Sequence, residues 1–237
     1  MKTLFVLAGG FGTRLRSLVA DVPKPLAPVD DRPFITHLVT HWAKQGVTNF
    51  VFLLHYEAHQ IEFVLQQLAD DPKFSGVHFK TVVENKPLGT GGAILNAIKH
   101  LEITDSFLVV NADTWLGSGI EILSASSPCS LVAVKVPNTL RYGSLSFEGI
   151  KISRFEEKSN STGQGYVNSG LYHLSPEIFD DFEVGAKFSL EEDIFPGLVS
   201  SQKLGFVKLK SSFIDIGVPE DYLKFCKWIE LGKNHDL

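Results

Sequence analysis

The sequence predicts an α/β fold, a three-layer sandwich in which a mostly parallel central sheet carries helices on both faces. Three observations predict it. Short apolar, β-branched runs bounded by turn residues alternate with longer amphipathic stretches. A glycine-rich loop follows the first apolar run directly, as at a strand-to-helix turn. Strand, helix and strand in succession need crossover connections, and these favour parallel pairing.

Residues 3–8 form the first strand. Pro33–Gln45 has apolar residues at helical spacing, Asn49–Leu54 is an apolar strand, Ala58–Leu68 is again helical, and Val77–Val83 is a strand. Gly91–His100 reads as a helix entered through glycine and closed near Leu101-Glu102, and Phe107–Asn111 and Ser130–Val136 are further strands. After about residue 136 the pattern changes to short sheet-edge strands with polar connections: Gly143–Phe147, Ile150–Phe155 and Tyr166–Leu174. Pro176–Phe182 and Ser189–Val199 read as helical, Leu204–Leu209 and Ser212–Ile216 as strands, and Pro219–Glu230 as a closing helix. No internal repeat, low-complexity linker or composition break divides the chain, so residues 1–237 are read as one domain.

Composition bounds the function. With 22 basic and 27 acidic side chains the formal charge is −5, and 44% of residues are hydrophobic, which describes a soluble globular protein with a core that needs no disulfide. A net acidic chain without a basic tail argues against nucleic acid as the main partner. No run approaches the ~20 apolar residues of a membrane span, and the apolar run at 3–8 is too short for a signal peptide. Cys129 and Cys226 lie far apart without zinc-ligand spacing and read as reduced, buried thiols of a cytoplasmic protein.

The segment Leu7-Ala8-Gly9-Gly10-Phe11-Gly12-Thr13-Arg14-Leu15 sits at the end of the first strand. Glycines there let the backbone turn tightly and approach a ligand, and successive N–H groups make an anion-binding concavity suited to phosphate. A tight turn that needs glycine for its own geometry is the alternative. Gly10-Phe11-Gly12-Thr13-Arg14-Leu15 lacks the last small residue of a dinucleotide fingerprint, and no G-x-x-x-x-G-K-[ST] is present. Two cations follow: Arg14, whose fork can hold two phosphate oxygens, and Lys24, restricted by Pro23 and Pro25 on either side.

The ordered strings LAGGFGTRL (7–15), PKPL (23–26), KPLGTGGA (86–93), VVNADT (109–114), RYG (141–143), FEEK (155–158), NSGLY (168–172) and FIDIGVPEDY (213–222) resemble the signature of the sugar-1-phosphate nucleotidyltransferases. The resemblance implies their Rossmann-like, glycosyltransferase-A-like nucleotidyltransferase fold. It divides the domain into a nucleotide-binding half, about 1–136, and a sugar-phosphate-binding half, about 137–220. The hexapeptide β-helix of some relatives is absent, as in a minimal catalytic domain. Within the family the chain is most like the D-glycero-D-manno-heptose 1-phosphate guanylyltransferases. Mannose-1-phosphate guanylyltransferases and N-acetylmuramate- or hexose-1-phosphate uridylyltransferases are alternatives, and a catalytically silent subunit that binds NDP-sugars is an alternative of another class.

By the resemblance, the reaction is an in-line displacement at the α-phosphorus of an NTP, which needs positioning and charge neutralisation more than a protein nucleophile. Arg14, Lys24 and Asp113 are the implied catalytic residues, Arg14 on the β- and γ-phosphates and Lys24 on the α-phosphate. Leu7, Ala8, Gly9, Gly10, Gly12, Thr13, Glu84, Pro87, Gly89, Thr90 and Asn111 join them in nucleotide binding. Asp113 and Asp215 are implied as Mg2+ ligands, a turn or capping role being the alternative for each. Tyr142, Gly143, Glu157, Lys158, Asn168 and Gly170 match the sugar-phosphate half, although Glu156-Glu157-Lys158 taken alone reads more readily as a solvated charged turn than as a site. Glu84 favours GTP: a carboxylate only accepts, and guanine offers adjacent N1–H and N2–H donors.

Ala112 stands where many relatives have glycine, and Ser169 where glycine or alanine is common. His55-Tyr56-Glu57-Ala58-His59 misplaces the glutamate of a zinc-protease helix. His37 and His41, at i and i+4, read as helix-surface histidines. Phe179, Phe182, Phe188 and Phe195, dense after the sugar motif, are candidates for a subunit contact in a homo-oligomer.

Overall fold

The computed structural model describes residues 2–15, 18–19, 22–156 and 163–232, the side chain of Thr13 excepted. The fold is mixed α/β with a mostly parallel central sheet. The chain runs β1 (Lys2–Leu7), the short pair β2 (Pro28–Val29) and β3 (Arg32–Pro33), α1 (Phe34–Lys44), β4 (Val47–Leu54), α2 (Ala58–Asp70), β5 (His78–Val83), α3 (Gly89–Leu101) and β6 (Phe107–Asn111). There follow β7 (Thr114–Leu116), α4 (Ile120–Ser124), β8 (Ser130–Val136), β9 (Ser144–Glu148), β10 (Lys151–Glu156) and β11 (Gly165–Leu174). The last elements are α5 (Phe195–Ser200), β12 (Gly205–Leu209), β13 (Phe213–Asp215) and α6 (Pro219–Glu230).

The chain forms two compact units, the first comprising Met1–Lys86, Val110–Ser118 and Ser212–Leu237, the second Pro87–Val109 and Gly119–Ser211. In the first unit β1 pairs in parallel with β4, Leu7 opposite Leu53, and β4 pairs in parallel with β5, Leu54 opposite Val83. Phe50 to Leu54 of β4 are all buried, the apolar run expected of a strand covered on both faces. Helix α1 buries Phe34, Ile35, Leu38, Val39 and Trp42, one face at helical spacing. Phe225 of α6 meets Phe34 at 5.0 Å and Trp115 at 5.2 Å between ring centroids, so the closing helix is anchored through aromatic contacts.

In the second unit β8 is flanked by β11, antiparallel, and β12, parallel, while β9 pairs antiparallel with both β10 and β11. Of these, β9, β10 and β11 are the sheet-edge strands expected after residue 136. Phe179, Phe188 and Phe195 are at most 7% exposed, and Phe182 stacks on Phe188 at 4.1 Å. Of the four phenylalanines named as candidates for a subunit contact, Phe179, Phe188 and Phe195 therefore belong to this unit's own core, with the half-buried Phe182 packed on it.

Local differences have local causes. Only Pro176–Phe179 of the expected helix 176–182 turns, as a 3-10 turn, because Asp180 and Asp181 are exposed and leave no apolar face to extend. Ser189–Val199 divides into a π turn at Leu190–Ile194 and α5. Helix α3 begins two residues before Gly91. Strand β7 and helix α4 are too short to impose a readable period. His37 and His41 are half-buried rather than on the helix surface, their Nε2 atoms 3.0 Å from the Val29 carbonyl and 2.8 Å from that of Leu116. Cys129 and Cys226 are free and half-buried, and burial pushes both thiols up from their ordinary range.

Candidate active site

In the first unit the loop after β1 starts from two backbone anchors: the Ala8 N–H donates to Leu53 at 3.0 Å, and the Leu7 carbonyl accepts from Ala112 at 3.0 Å. Leu7 therefore lies beside the VVNADT motif, next to Asn111, the last residue of β6. Gly9 passes against His55, where an added Cβ would stand 3.3 Å from the histidine Cβ; Gly10 faces open space. Gly12 has φ +61°, and a Cβ there would stand 3.2 Å from the Lys24 Cβ. Only glycine takes this turn without strain beside the lysine. Exposed Arg14 sits in the following 3-10 turn.

Lys24 opens another 3-10 turn, entered through Pro23 and fixed by the Ala27 N–H to its carbonyl at 3.0 Å. Its Nζ reaches Asp113 Oδ2 at 2.6 Å, with 13% and 29% of the two side chains exposed. Strands β7 and β13 pair antiparallel with Asp215 opposite Thr114, and the Ile216 N–H donates to the Asp113 carbonyl at 2.9 Å. That ladder brings Asp215 beside Asp113. The Asp215 Oδ1 accepts from the Gly217 N–H at 2.7 Å. Burial, and next the charge of Asp113, push Asp215 up to about 6, against the pull of the Gly217 N–H, Lys24 and Arg14.

Two neighbouring carboxylates, one of them pushed up by burial and by the charge of the other, suit a hard divalent cation, which takes oxygen donors and completes its shell with phosphate oxygens and water. Among the described residues no group of three or more His, Cys, Asp or Glu is placed to hold a metal, so Asp113 and Asp215 are what this cluster offers.

Glu84 follows β5 and is 8% exposed. Its N–H donates to the Leu54 carbonyl at 2.8 Å, and its own carbonyl meets His55 Nδ1 at 3.0 Å, so the backbone at Glu84 is held from two sides. Phe11 rests edge-on against His55 at 5.7 Å.

The second unit places the remaining motifs. Pro87 is exposed and Leu88 buried before α3. Gly89 has φ +74°, and an added Cβ would lie 2.5 Å from the Phe188 carbonyl oxygen. That same oxygen accepts the Gly91 and Gly92 N–H groups at 3.1 and 3.2 Å, occupying donors of the first helical turn. The Thr90 hydroxyl donates to Glu191 at 2.7 Å. Tyr142, Gly143, Asn168 and Gly170 come together because the Asn168 N–H donates to the Gly143 carbonyl at 2.9 Å and the Gly170 N–H to Asn168 Oδ1 at 3.1 Å. Ser169 is 1% exposed and its hydroxyl has no hydrogen-bond partner among the described residues. Glu157 and Lys158 lie outside the described residues.

Glu191 and Tyr172 carry contacts that the sequence motifs did not assign: Tyr172 donates to Glu191 at 3.0 Å and accepts from Asn168 at 2.8 Å. The one local signal for Glu191 was Ser189, a helix N-cap residue two positions earlier.

The chain belongs to the nucleotidyl transferase family, which it matches over residues 4–230. It is 35% identical to the D-glycero-alpha-D-manno-heptose 1-phosphate guanylyltransferase of Campylobacter jejuni, over 93% of this chain and 96% of that one. It is 30% identical to the enzyme of the same name from Aneurinibacillus thermoaerophilus, over 95% and 97%. The crystal structure of HddC from Yersinia pseudotuberculosis complexed with GMP-PN superposes with a TM-score of 0.81 at 35% identity, covering 97% of this chain and 100% of that one. No helix among the described residues is long and apolar enough to cross a membrane.

Proposed function

We propose that this chain transfers GMP from GTP to D-glycero-α-D-manno-heptose 1-phosphate, with Mg2+ bound, giving the GDP-sugar and pyrophosphate. The observation that carries the reading is the Lys24 ammonium held 2.6 Å from Asp113, beside a second carboxylate at Asp215. The substrate pair draws support from the full-length similarity to heptose 1-phosphate guanylyltransferases.

Arg14 grips the β- and γ-phosphates with its planar fork, and the glycine loop offers backbone N–H groups to the same chain of phosphates. Asp113 holds the Lys24 ammonium, which meets the negative charge that builds on the α-phosphate as a sugar-phosphate oxygen attacks in line. The bond from the α-phosphorus to the bridging oxygen of the β-phosphate breaks, and pyrophosphate leaves. Asp113 and Asp215 would hold Mg2+, which when bound neutralises phosphate charge. Glu84 accepts the guanine N1–H and N2–H. Asn168, Gly170, Tyr142 and Gly143 hold the sugar phosphate, with Glu157 on sugar hydroxyls and Lys158 on its phosphate. Nucleotide binding is the work of the half running to about residue 136 and sugar-phosphate binding that of the half at about 137–220. GTP and the sugar phosphate are cytoplasmic metabolites, so the enzyme works in the cytoplasm.

Pyrophosphate release with Mg2+ over a matrix of four NTPs against heptose, mannose, glucose and N-acetylmuramic acid 1-phosphates tests the reading. Release confined to GTP with the heptose is expected. Release with another pair replaces the substrates, and no release from folded protein overturns the activity.

A further inference from the structure

We infer that Glu191 is a positioning residue that sets the direction of a hydrogen-bond relay and, through Tyr172, turns the Asn168 amide so that one of its N–H groups is left for the sugar phosphate. The inference deepens the proposed function, since it rests on Asn168 as a sugar-phosphate ligand.

Three hydroxyls converge on one carboxylate. Thr90 and Ser189 lie 2.7 and 2.9 Å from Glu191 Oε2, and Tyr172 lies 3.0 Å from Oε1. Beyond them Thr90 accepts from the Leu190 N–H at 2.9 Å, and Ser189 from the Glu191 and Glu192 N–H groups at 3.1 and 3.3 Å. Glu191 itself belongs to the π turn at Leu190–Ile194, a local backbone departure of the kind often kept at working sites.

The direction of every bond follows from the carboxylate. A carboxylate only accepts, so each hydroxyl gives its single hydrogen to Glu191. Tyr172, fully buried, then has only lone pairs to offer Asn168 at 2.8 Å. Asn168 must present its NH2 to Tyr172, which leaves Oδ1 to accept the Gly170 N–H at 3.1 Å. Both amide atoms are therefore assigned by the network, and the second hydrogen on Nδ2 meets no acceptor among the described residues. Asn168 is half-buried, open enough to meet a ligand.

Glu191→Gln keeps the shape and changes the direction. A glutamine amide can offer NH2 to Tyr172, which turns the phenol round to donate to Asn168 and flips that amide against the Gly170 N–H.

The test is steady-state pyrophosphate release by the whole protein, titrating the sugar 1-phosphate that supports wild-type turnover. Glu191→Gln is expected to raise KM for the sugar phosphate about tenfold, the scale of one misdirected hydrogen bond, with kcat changed less than about threefold. Tyr172→Phe should raise the same KM, and the double variant should rise no further than Tyr172→Phe alone. Asn168→Ala should raise it at least as much. Should Glu191→Gln leave that KM unchanged while Asn168→Ala raises it, the relay is overturned and the sugar-site reading stands. An unchanged KM in Asn168→Ala overturns both. If Glu191→Gln fails to fold by thermal melt, Tyr172→Phe decides alone, and an unchanged KM there overturns the relay.

Discussion

Lys24 Nζ stands 2.6 Å from Asp113 Oδ2, an ion pair between residues 89 positions apart. The lysine is the nearest counter-charge to a carboxylate that also pushes on Asp215. Its removal has two separable effects. Lys24→Ala should cut turnover about a hundredfold or more by removing charge stabilisation at the transferring phosphate. It should also lower stability at pH 7.5 by about 1–3 kcal/mol, because Asp113 is left without its partner. Pyrophosphate assays and thermal melts check the two, and wild-type turnover would sink the assigned role.

Asp215 opposes stability at neutral pH. Its folded value of about 6 exceeds the usual aspartate value of ~3.9, so the native state binds more protons than the unfolded state between those limits. Its destabilising contribution, roughly 2–3 kcal/mol, is therefore complete above pH 6 and fades as pH falls from 6 toward 4. Asp215→Asn should raise Tm at pH 7.5 by about 5 °C and remove that part of the pH dependence. Turnover should fall by orders of magnitude in the same variant. An unchanged Tm across pH 4 to 7 would refute the account.

The same carboxylate gives the proposed cation site an expected pH dependence. Protonating Asp215 removes one charged oxygen donor, so Mg2+ should bind about tenfold more weakly at pH 5 than at pH 7.5. Calorimetric titration of the nucleotide-free protein reads this directly, and Asp215→Asn should show weak binding at both values.

Gly89 admits no side chain, since φ is +74° and a Cβ would meet the Phe188 carbonyl at 2.5 Å. Gly89→Ala should cost about 2–4 kcal/mol by strain and displacement of the α3 entry. Chemical denaturation measures the loss. The proposed nucleotide role adds a higher KM for GTP in whatever fraction folds.

Glu84 carries the proposed guanine preference. Glu84→Gln should lower the ratio of kcat/KM for GTP over UTP by about tenfold or more, because an amide presents a donor where guanine also presents donors. Paired assays with both nucleotides give the ratio, and an unchanged ratio assigns the discrimination elsewhere.

What the sequence made legible divides by range. Strands such as β4 and β8 were readable because four or five apolar residues in a row describe a strand buried on both faces. Asp113 was legible as a strand-end aspartate, but its approach to Asp215 depends on two three-residue strands whose length gives no period. Gly89 was legible as part of a motif, while the reason for it, the Phe188 carbonyl, lies far along the chain. Glu191 was missed for the same cause: its partners Thr90 and Tyr172 are 101 and 19 positions away, and a glutamate two residues after a capping serine looks like any solvated first turn.

The second unit interrupts the first twice, at Lys86 and again at Ser118, and the first is finished only by the segment from Ser212. During synthesis the strand bearing Asp215 emerges about a hundred residues after its partner Thr114. The loop closed by that pairing is long, and closing it costs more chain entropy than a local pairing would. Phe225 and Trp228 of α6 both pack on Trp115 of β7, so the helix that ends the first unit covers the same short ladder that brings Asp215 to Asp113.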